Sequence, residues 1–156
     1  MEKQGKLFRK YSENNDVEIH LELYDYNSIS YHELISKMNN SGFKQVIVHS
    51  EMMLAILEEI ILKDIILVIH FNDETDDTII QETQSLIKSI RKNPAYFLKL
   101  KELLKWTEDN NSIDITKIEV SFETTKIEVQ SNGIVIGKNI EGFFDSILIG
   151  VLKGFL

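Results

Sequence analysis

Carboxylates and histidines follow three apolar segments of the chain, and these residue types can bind metal ions or transfer protons. Asp25 comes after the first segment, His49 after the second and Asp73 after the third. If the segments are parallel strands of an open sheet, their carboxyl ends share one edge, where ligands bind in such sheets. Oxygen ligands suit hard divalent cations, and imidazole adds affinity for transition metals. One hypothesis is therefore a metal-dependent hydrolase or nucleotide-processing enzyme with Asp25, His49 and Asp73 as catalytic residues.

Helix capping explains the same positions more simply. Asp, Ser and Asn are frequent where helices begin, because their side chains accept hydrogen bonds from free backbone N–H groups. The helix dipole also favours acids such as Asp76 and Asp77 there. The four histidines lack the spacing of a zinc protease or zinc finger, and the sequence has no glycine-rich phosphate loop or nucleophile elbow. We therefore predict no metal, no cofactor and a non-enzymatic role.

Charge is distributed unevenly along the chain. The formal net charge is −8, from 25 acidic and 17 basic residues. Residues 51–85 contain nine acids and one lysine, whereas residues 86–105 contain six basic residues and one acid. These two stretches could attract each other or face different partners. The overall negative charge repels phosphate backbones, so no nucleic-acid partner is expected.

The acidic stretch supports the leading hypothesis, a protein-binding module that engages a more basic protein. An acidic inhibitor, immunity protein or antitoxin that neutralises a basic toxin would carry such charge, because complementary charge steers association. The predicted partner-binding residues are the four acids that follow the third apolar segment: Asp73, Glu74, Asp76 and Asp77.

Hydrophobic periodicity predicts an α/β fold. Residues 17–23 alternate apolar and polar side chains, as in a half-buried strand, while residues 46–48 and 65–69 are continuous apolar runs typical of central strands. Helical patterns lie between these segments, at residues 30–42 and 51–62, and Ser30 and Ser50 are their predicted N-caps. Alternation of strand and helix predicts a parallel βαβαβ core with right-handed crossovers.

The second half of the chain predicts a different arrangement. Two helices are expected, at residues 75–92 and 94–106, with Asn93 as the predicted N-cap of the second and Pro94 as its first residue. Alternating residues from 118 to 136, with a turn at Asn132-Gly133, predict an antiparallel β-meander. We interpret residues 1–156 as a single α/β domain with a candidate subdomain boundary near residues 108–112.

Large apolar residues recur at helical spacing in residues 140–156 and predict a C-terminal amphipathic helix. Phe144, Leu148 and Leu152 are its predicted interface residues, facing the core or a second subunit. Small residues at every fourth position predict that a neighbouring backbone approaches closely; they are Gly142, Ser146, Gly150 and Gly154. No membrane partner is expected, because the helix is short, charged and without a lysine-rich face.

A third hypothesis is an oligomeric structural or regulatory subunit, a homo-oligomer formed through the C-terminal helix or helix 51–62. The sequence contains no cysteine, which excludes disulfides and thiol catalysis and is compatible with a reducing compartment. The first ten residues include four basic residues but no apolar stretch behind them, so no secretory signal is predicted. A cytoplasmic location is expected.

Overall fold

The computed structural model describes residues 1–73, 75–110 and 114–156, without the side chains of residues 106–110. The strands are β1 (Lys3–Tyr11), β2 (Val17–Leu23), β3 (Lys44–Gln45), β4 (Ile65–Phe71), β5 (Ile115–Phe122), β6 (Thr125–Gln130) and β7 (Ile134–Gly137). The first four helices are α1 (Tyr31–Asn40), α2 (Ser50–Ile60), α3 (Asp77–Lys92) and α4 (Phe97–Asn110). The C-terminal helix comprises α5 (Ile140–Phe143), a π-helical turn (Phe144–Leu148) and α6 (Ile149–Lys153).

The strands form one sheet with the order β2-β1-β7-β6-β5-β4, and β3 also pairs with β1. Every pairing among the strands in the described ranges is antiparallel. β3 and β7 lie end to end along the same side of β1, because β3 pairs with Phe8 and Arg9 whereas β7 pairs with residues 3–6. β1 is therefore the strand that joins the first and last parts of the chain.

The mixed α/β class, the helices after β4, the β5–β7 meander and the C-terminal helix agree with the sequence prediction. The predicted parallel βαβαβ core is wrong in its strand pairing: β2 and β3 pair with β1, and β4 pairs with β5. β1 was not predicted, because Gly5, Lys6, Leu7 and Phe8 are all buried and the strand lacks the alternation of a half-buried strand. Once β1 separates β2 from β3, α1 no longer connects neighbouring parallel strands.

The predicted central strand at residues 46–48 is extended chain that leaves the sheet. The N–H of Val46 donates to the carbonyl of Leu7 (3.2 Å), and that of Val48 donates to the carbonyl of Ser131 (2.8 Å). Gly133 blocks further pairing with β1, since its own carbonyl accepts from the N–H of Leu7 (2.9 Å). Gly133 also has a φ of +84°, which confirms the turn predicted at Asn132-Gly133.

Helices cover the two faces of the sheet unequally. The main core lies on one face, where buried residues of α2, α3, α4 and the C-terminal helix pack against β4–β7. On the second face Phe8 forms a smaller cluster with Leu34 and Met38 of α1. Further along this face, β5 and β6 present ion-paired side chains such as Glu119 and Glu128.

The C-terminal helix packs against the sheet through Phe143, Leu148 and Leu152, all of which have no exposed surface. Leu148 lies five positions after Phe143, and five positions of an α-helix turn by about 500°, which places the two side chains on different faces. The π-helical turn between them adds a residue and brings both side chains to the core. The sequence predicted continuous α-helical spacing and missed this turn.

In the described part of the chain, no backbone of another element is among the atoms nearest to Gly142, Gly150 or Gly154, so the predicted close approach was wrong. A Cβ added at Gly150 would meet no described atom within 4 Å, and the three atoms nearest to one at Gly142 all belong to the Asn139 side chain. Ser146 and Gly154 are exposed. Because the large apolar residues face the sheet, the small ones face solvent.

The candidate boundary at residues 108–112 lies partly outside the described ranges, and only the backbone of 108–110 is described. β4 lies before this position and β5 after it, and the two strands pair along most of their length. Through β6 and β7 the later strands also reach β1. The strands on either side of the candidate boundary therefore share one sheet.

Candidate functional site: the acidic end of the sheet

The connection from β4 to α3, the start of β5 and the start of α2 meet at one end of the sheet. Phe71 pairs with Ile115, and the N–H of Asn72 donates to the carbonyl of Asp114 (3.1 Å). The buried side chain of Ser50 accepts a hydrogen bond at its Oγ from the N–H of Ile115 (3.0 Å). Backbone and side-chain hydrogen bonds thus join three segments that are far apart in the sequence.

Four exposed carboxylates lie on two of these segments and are called the acidic end below: Asp73, Asp76, Asp77 and Asp114. Asp76 is the N-cap of α3, where its Oδ1 accepts from the N–H of Thr78 (2.9 Å). Within the described part of the chain, none of the four forms an ion pair with Lys, Arg or His. Their negative potential is therefore directed to solvent.

Hydrogen bonds fix the path of the connection that carries Asp73 and Asp76. Thr75 is buried, its Oγ1 lies 2.8 Å from Oδ1 of Asn72, and its N–H donates to the carbonyl of Asn72 (3.2 Å). Glu74, the fourth acid predicted to bind a partner, lies outside the described residues. The fixed turn reduces the conformational freedom that these acids would lose on binding.

Asp25 and Asp73, two residues of the metal hypothesis, lie far apart in the fold. β2 and β4 form the two edges of the sheet and are separated by five antiparallel pairings, so they run in opposite directions. Asp25 therefore lies at the opposite end of the opposite edge from Asp73. Its carboxylate accepts hydrogen bonds from the N–H of Asn27 (2.9 Å) and the Oγ of Ser28 (3.1 Å), which is a turn-stabilising role.

His49, the third residue of the metal hypothesis, caps α2. Its Nδ1 accepts from the N–H of Met52 (3.3 Å), and its ring packs edge-on against Phe155 at 5.5 Å. Among the residues whose positions are described, no group of three His, Asp or Glu side chains is arranged to hold a metal ion. The geometry of Asp25, His49 and Asp73 thus gives no shared catalytic centre.

The predicted interface residues of the C-terminal helix are used within the chain. Leu148 and Leu152 are fully buried, and Phe144 packs against the main core. Leu148 and Leu152 could contact a second subunit only if the helix left the sheet.

Lys6 is a buried cation that the sequence analysis did not identify. Its Nζ donates to the carbonyl of Asn132 and lies 5.8 Å and 5.9 Å from the ring centroids of Phe8 and Tyr31. Burial lowers the pKa of Lys6 to about 8. No local sequence signal separates it from the other basic residues near the start of the chain, because α1 and the β6–β7 turn bury it. Its environment indicates a structural role in holding that turn against β1.

The open part of the second face has balanced charge. The carboxylate of Glu119 lies 2.6 Å from Nε2 of His70 and 2.5 Å from Nζ of Lys126. The hydrogen bond with His70 is the largest cause of the lowered pKa of Glu119, and the hydrogen bond with Lys126 is the next. Lys117 pairs with Glu128 at 3.4 Å. Because these carboxylates already have cationic neighbours, this face attracts a basic partner less than the acidic end does.

A cleft of about 840 Å³ opens beside the N-terminal residues and is lined in part by Gln4, Tyr24 and Asp25. The side-chain amide of Gln4 donates to the hydroxyl of Tyr24 (2.6 Å), and Asp25 stabilises its own turn. These interactions organise the wall of the cleft. They do not form the nucleophile and base pair that covalent catalysis requires.

Similarity to known proteins does not identify the chain. No family model, no curated protein and no solved structure matches it. As for membranes, the helices in the described ranges are all too short or too polar to cross a bilayer.

Proposed function

We propose that this chain is a non-enzymatic module that binds a more basic protein through its acidic end. The main support is the group of four exposed carboxylates that converge without a cationic neighbour in the described part of the chain. Other acids of the chain, including Glu58, Glu119 and Glu128, do have such neighbours. Glu51 and Glu59 also form no ion pair with a described residue, so the distinguishing feature of the acidic end is that its acids come from two segments joined at one end of the sheet. Such a concentration of one charge favours recognition over a uniformly solvated surface.

Complementary charge acts mainly on the rate of association. A patch of one sign steers a partner of the opposite sign and can raise the association rate well above that of a neutral surface. An acidic inhibitor, immunity protein or antitoxin that must capture a basic toxin quickly would benefit from this steering. We propose this class of partner, and a cytoplasmic setting that suits a chain without cysteine.

The test removes charge and keeps the fold. In the variant Asp73→Asn/Asp76→Asn/Asp77→Asn, the asparagine introduced at position 76 can still cap α3, because Asn and Asp are similar N-caps. The tagged wild-type chain is used to capture basic proteins from its own cell extract, and association of the purified partner is then measured at several salt concentrations. We expect the triple variant to associate at least about tenfold more slowly at low salt, with a flatter salt dependence.

A matched control removes three exposed acids elsewhere: Glu2→Gln, Glu59→Gln and Asp145→Asn. It changes the net charge by the same amount and should retain most of the association rate. Equal rates and salt slopes for the two triple variants would show that total charge, and not the acidic end, controls association. Failure of the wild-type chain to retain any basic protein would also contradict the proposal.

A further inference from the structure

A groove of about 550 Å³ runs between α2 and α4 on the outside of the helical layer. Its apolar lining consists of Leu54, Ala55, Leu98 and Phe155. Leu98 is 62% exposed and Phe155 is 41% exposed, so both would lose contact with water if the groove were covered. A contiguous apolar strip with charged rims is typical of protein docking surfaces.

The two walls of the groove carry opposite charges. Glu51 and Glu58 lie on the α2 wall, whereas Lys101 and Lys105 lie on the α4 wall together with Glu102. Nζ of Lys101 lies 3.4 Å from Oε2 of Glu58, so one pair is satisfied within the chain. Glu51 and Lys105 are exposed, and neither forms an ion pair with another described residue.

Glu51 and Lys105 lie on the same side of the Glu58–Lys101 pair. α2 starts at the acidic end, and α4 runs toward it, since the chain after Asn110 must reach the start of β5 there. At 1.5 Å per residue, Glu51 lies about 10 Å and Lys105 about 6 Å from that pair along the groove. The two unpaired charges are therefore at similar levels on opposite walls.

We propose that two copies of this chain form a symmetric dimer, groove against groove, about a two-fold axis parallel to α2 and α4. This axis places α2 of one copy opposite α4 of the other. Rotation about it does not change the position of a residue along the helix direction. Glu51 of each copy then faces Lys105 of the second copy, and the apolar strips cover each other. An axis across the helices would set α2 against α2 and bring like charges together.

A second copy fits this groove better than a strongly basic protein does. The walls are nearly balanced in charge, unlike the acidic end, so a uniformly basic surface would gain little attraction and would meet Lys101 and Lys105. The contact is also small, because α2 and α4 contain 11 and 14 residues. We therefore expect a dimer that dissociates in the micromolar range. The dimer does not use the acidic end, so it does not depend on the proposed function.

Charge reversal tests the predicted register. Sedimentation velocity at protein concentrations from about 1 to 500 μM brackets the expected dissociation constant. Glu51→Lys and Lys105→Glu should each weaken the dimer at least about tenfold, because each replaces two attractive pairs with two repulsive ones. The combined variant Glu51→Lys/Lys105→Glu should restore dimerisation to within about threefold of wild type. Leu98→Asp should abolish it.

Thermal melts of all four variants verify folding, since every altered side chain is exposed. A chain that stays monomeric across the concentration range overturns the proposal. A dimer that resists both single reversals, or that the double reversal fails to restore, overturns the groove-to-groove arrangement. Dimerisation that survives Leu98→Asp also overturns the groove-to-groove arrangement.

Discussion

The pKa of Lys6 is set by its burial in the fold. It is fully buried, and within the described ranges no carboxylate forms an ion pair with it. Burial lowers its pKa from 10.5 to about 8, so the folded chain releases this proton at a lower pH than the unfolded chain does. Between these pH values the unfolded state binds more protons, and the free energy of unfolding must rise with pH.

Lys6→Met should remove this pH dependence. The free energy of unfolding of wild type, relative to that of Lys6→Met, should be larger by about 2 to 3 kcal/mol at pH 10 than at pH 7, so wild type gains stability over the variant as the pH rises. Urea titrations at several pH values measure this difference. Tyr31 on α1, whose pKa is raised by burial, is present in both proteins, so its own titration largely cancels in the comparison. A difference that stays constant with pH would contradict the burial of a charged lysine.

Helix starts illustrate what local sequence predicts at the scale of residues. Ser30 was predicted to cap α1 and Asn93 to begin the next helical segment, and both side chains accept from backbone N–H groups within three residues. Ser50 was predicted to cap α2, but His49 is the N-cap and Ser50 bonds to Ile115 instead. Local sequence spacing could not predict this hydrogen bond, because Ile115 lies 65 residues after Ser50.

At the scale of elements, periodicity identified strands and helices better than it identified their neighbours. Residues 17–23 were predicted as a strand and form β2, and the predicted turn at Asn132-Gly133 joins β6 to β7 in the meander. Neither pattern contains information about β1, which supplies the partner of both β2 and β3. The predicted parallel pairing of the strands and the predicted metal site were wrong for the same reason. Asp25 and Asp73 could lie close together only if the strands before them were parallel.

The C-terminal helix gives the prediction at this scale. Leu148 is fully buried on the core face, whereas Ser146, two residues earlier, is exposed. Leu148→Asp should lower the free energy of unfolding by more than about 3 kcal/mol, because a buried carboxylate has to be desolvated or take up a proton. Ser146→Asp, the matched control, should change it by no more than about 0.5 kcal/mol. Chemical denaturation compares the two, and similar losses would place the core face elsewhere.

For the whole molecule, the acidic stretch of residues 51–85 and the basic stretch of residues 86–105 contact each other at one ion pair. Lys101 pairs with Glu58, so part of the charge is neutralised where α4 lies beside α2. Asp73, Asp76 and Asp77, later in the acidic stretch, form no ion pair with another described residue. Composition predicted an excess of negative charge, but only the packing of helices shows which acids remain available.

Pairing within the sheet makes β1, near the start of the chain, essential for the stability of the strands near its end. β1 pairs with β7 from Lys3 to Lys6, and it pairs with β2 over seven residues, so it holds together parts of the chain more than 110 residues apart. Deleting residues 1–11 would expose the edges of β2 and β7 and remove the buried Leu7 and Phe8 from two separate clusters. Each of these side chains contributes about 1.5 to 3 kcal/mol by burial alone, a large part of the 5 to 15 kcal/mol that stabilises an ordinary domain.

We therefore expect the chain without residues 1–11 to lose its cooperative thermal transition. Circular dichroism melts and amide hydrogen exchange of β5–β7 measure this loss directly, since strands far from the deletion should also lose protection. Deleting only Met1 and Glu2, which are exposed and precede β1, is the control and should leave the melt nearly unchanged. If β5–β7 kept their protection without residues 1–11, the meander and the helices that pack on it would form an independent unit, and β1 would be an accessory strand.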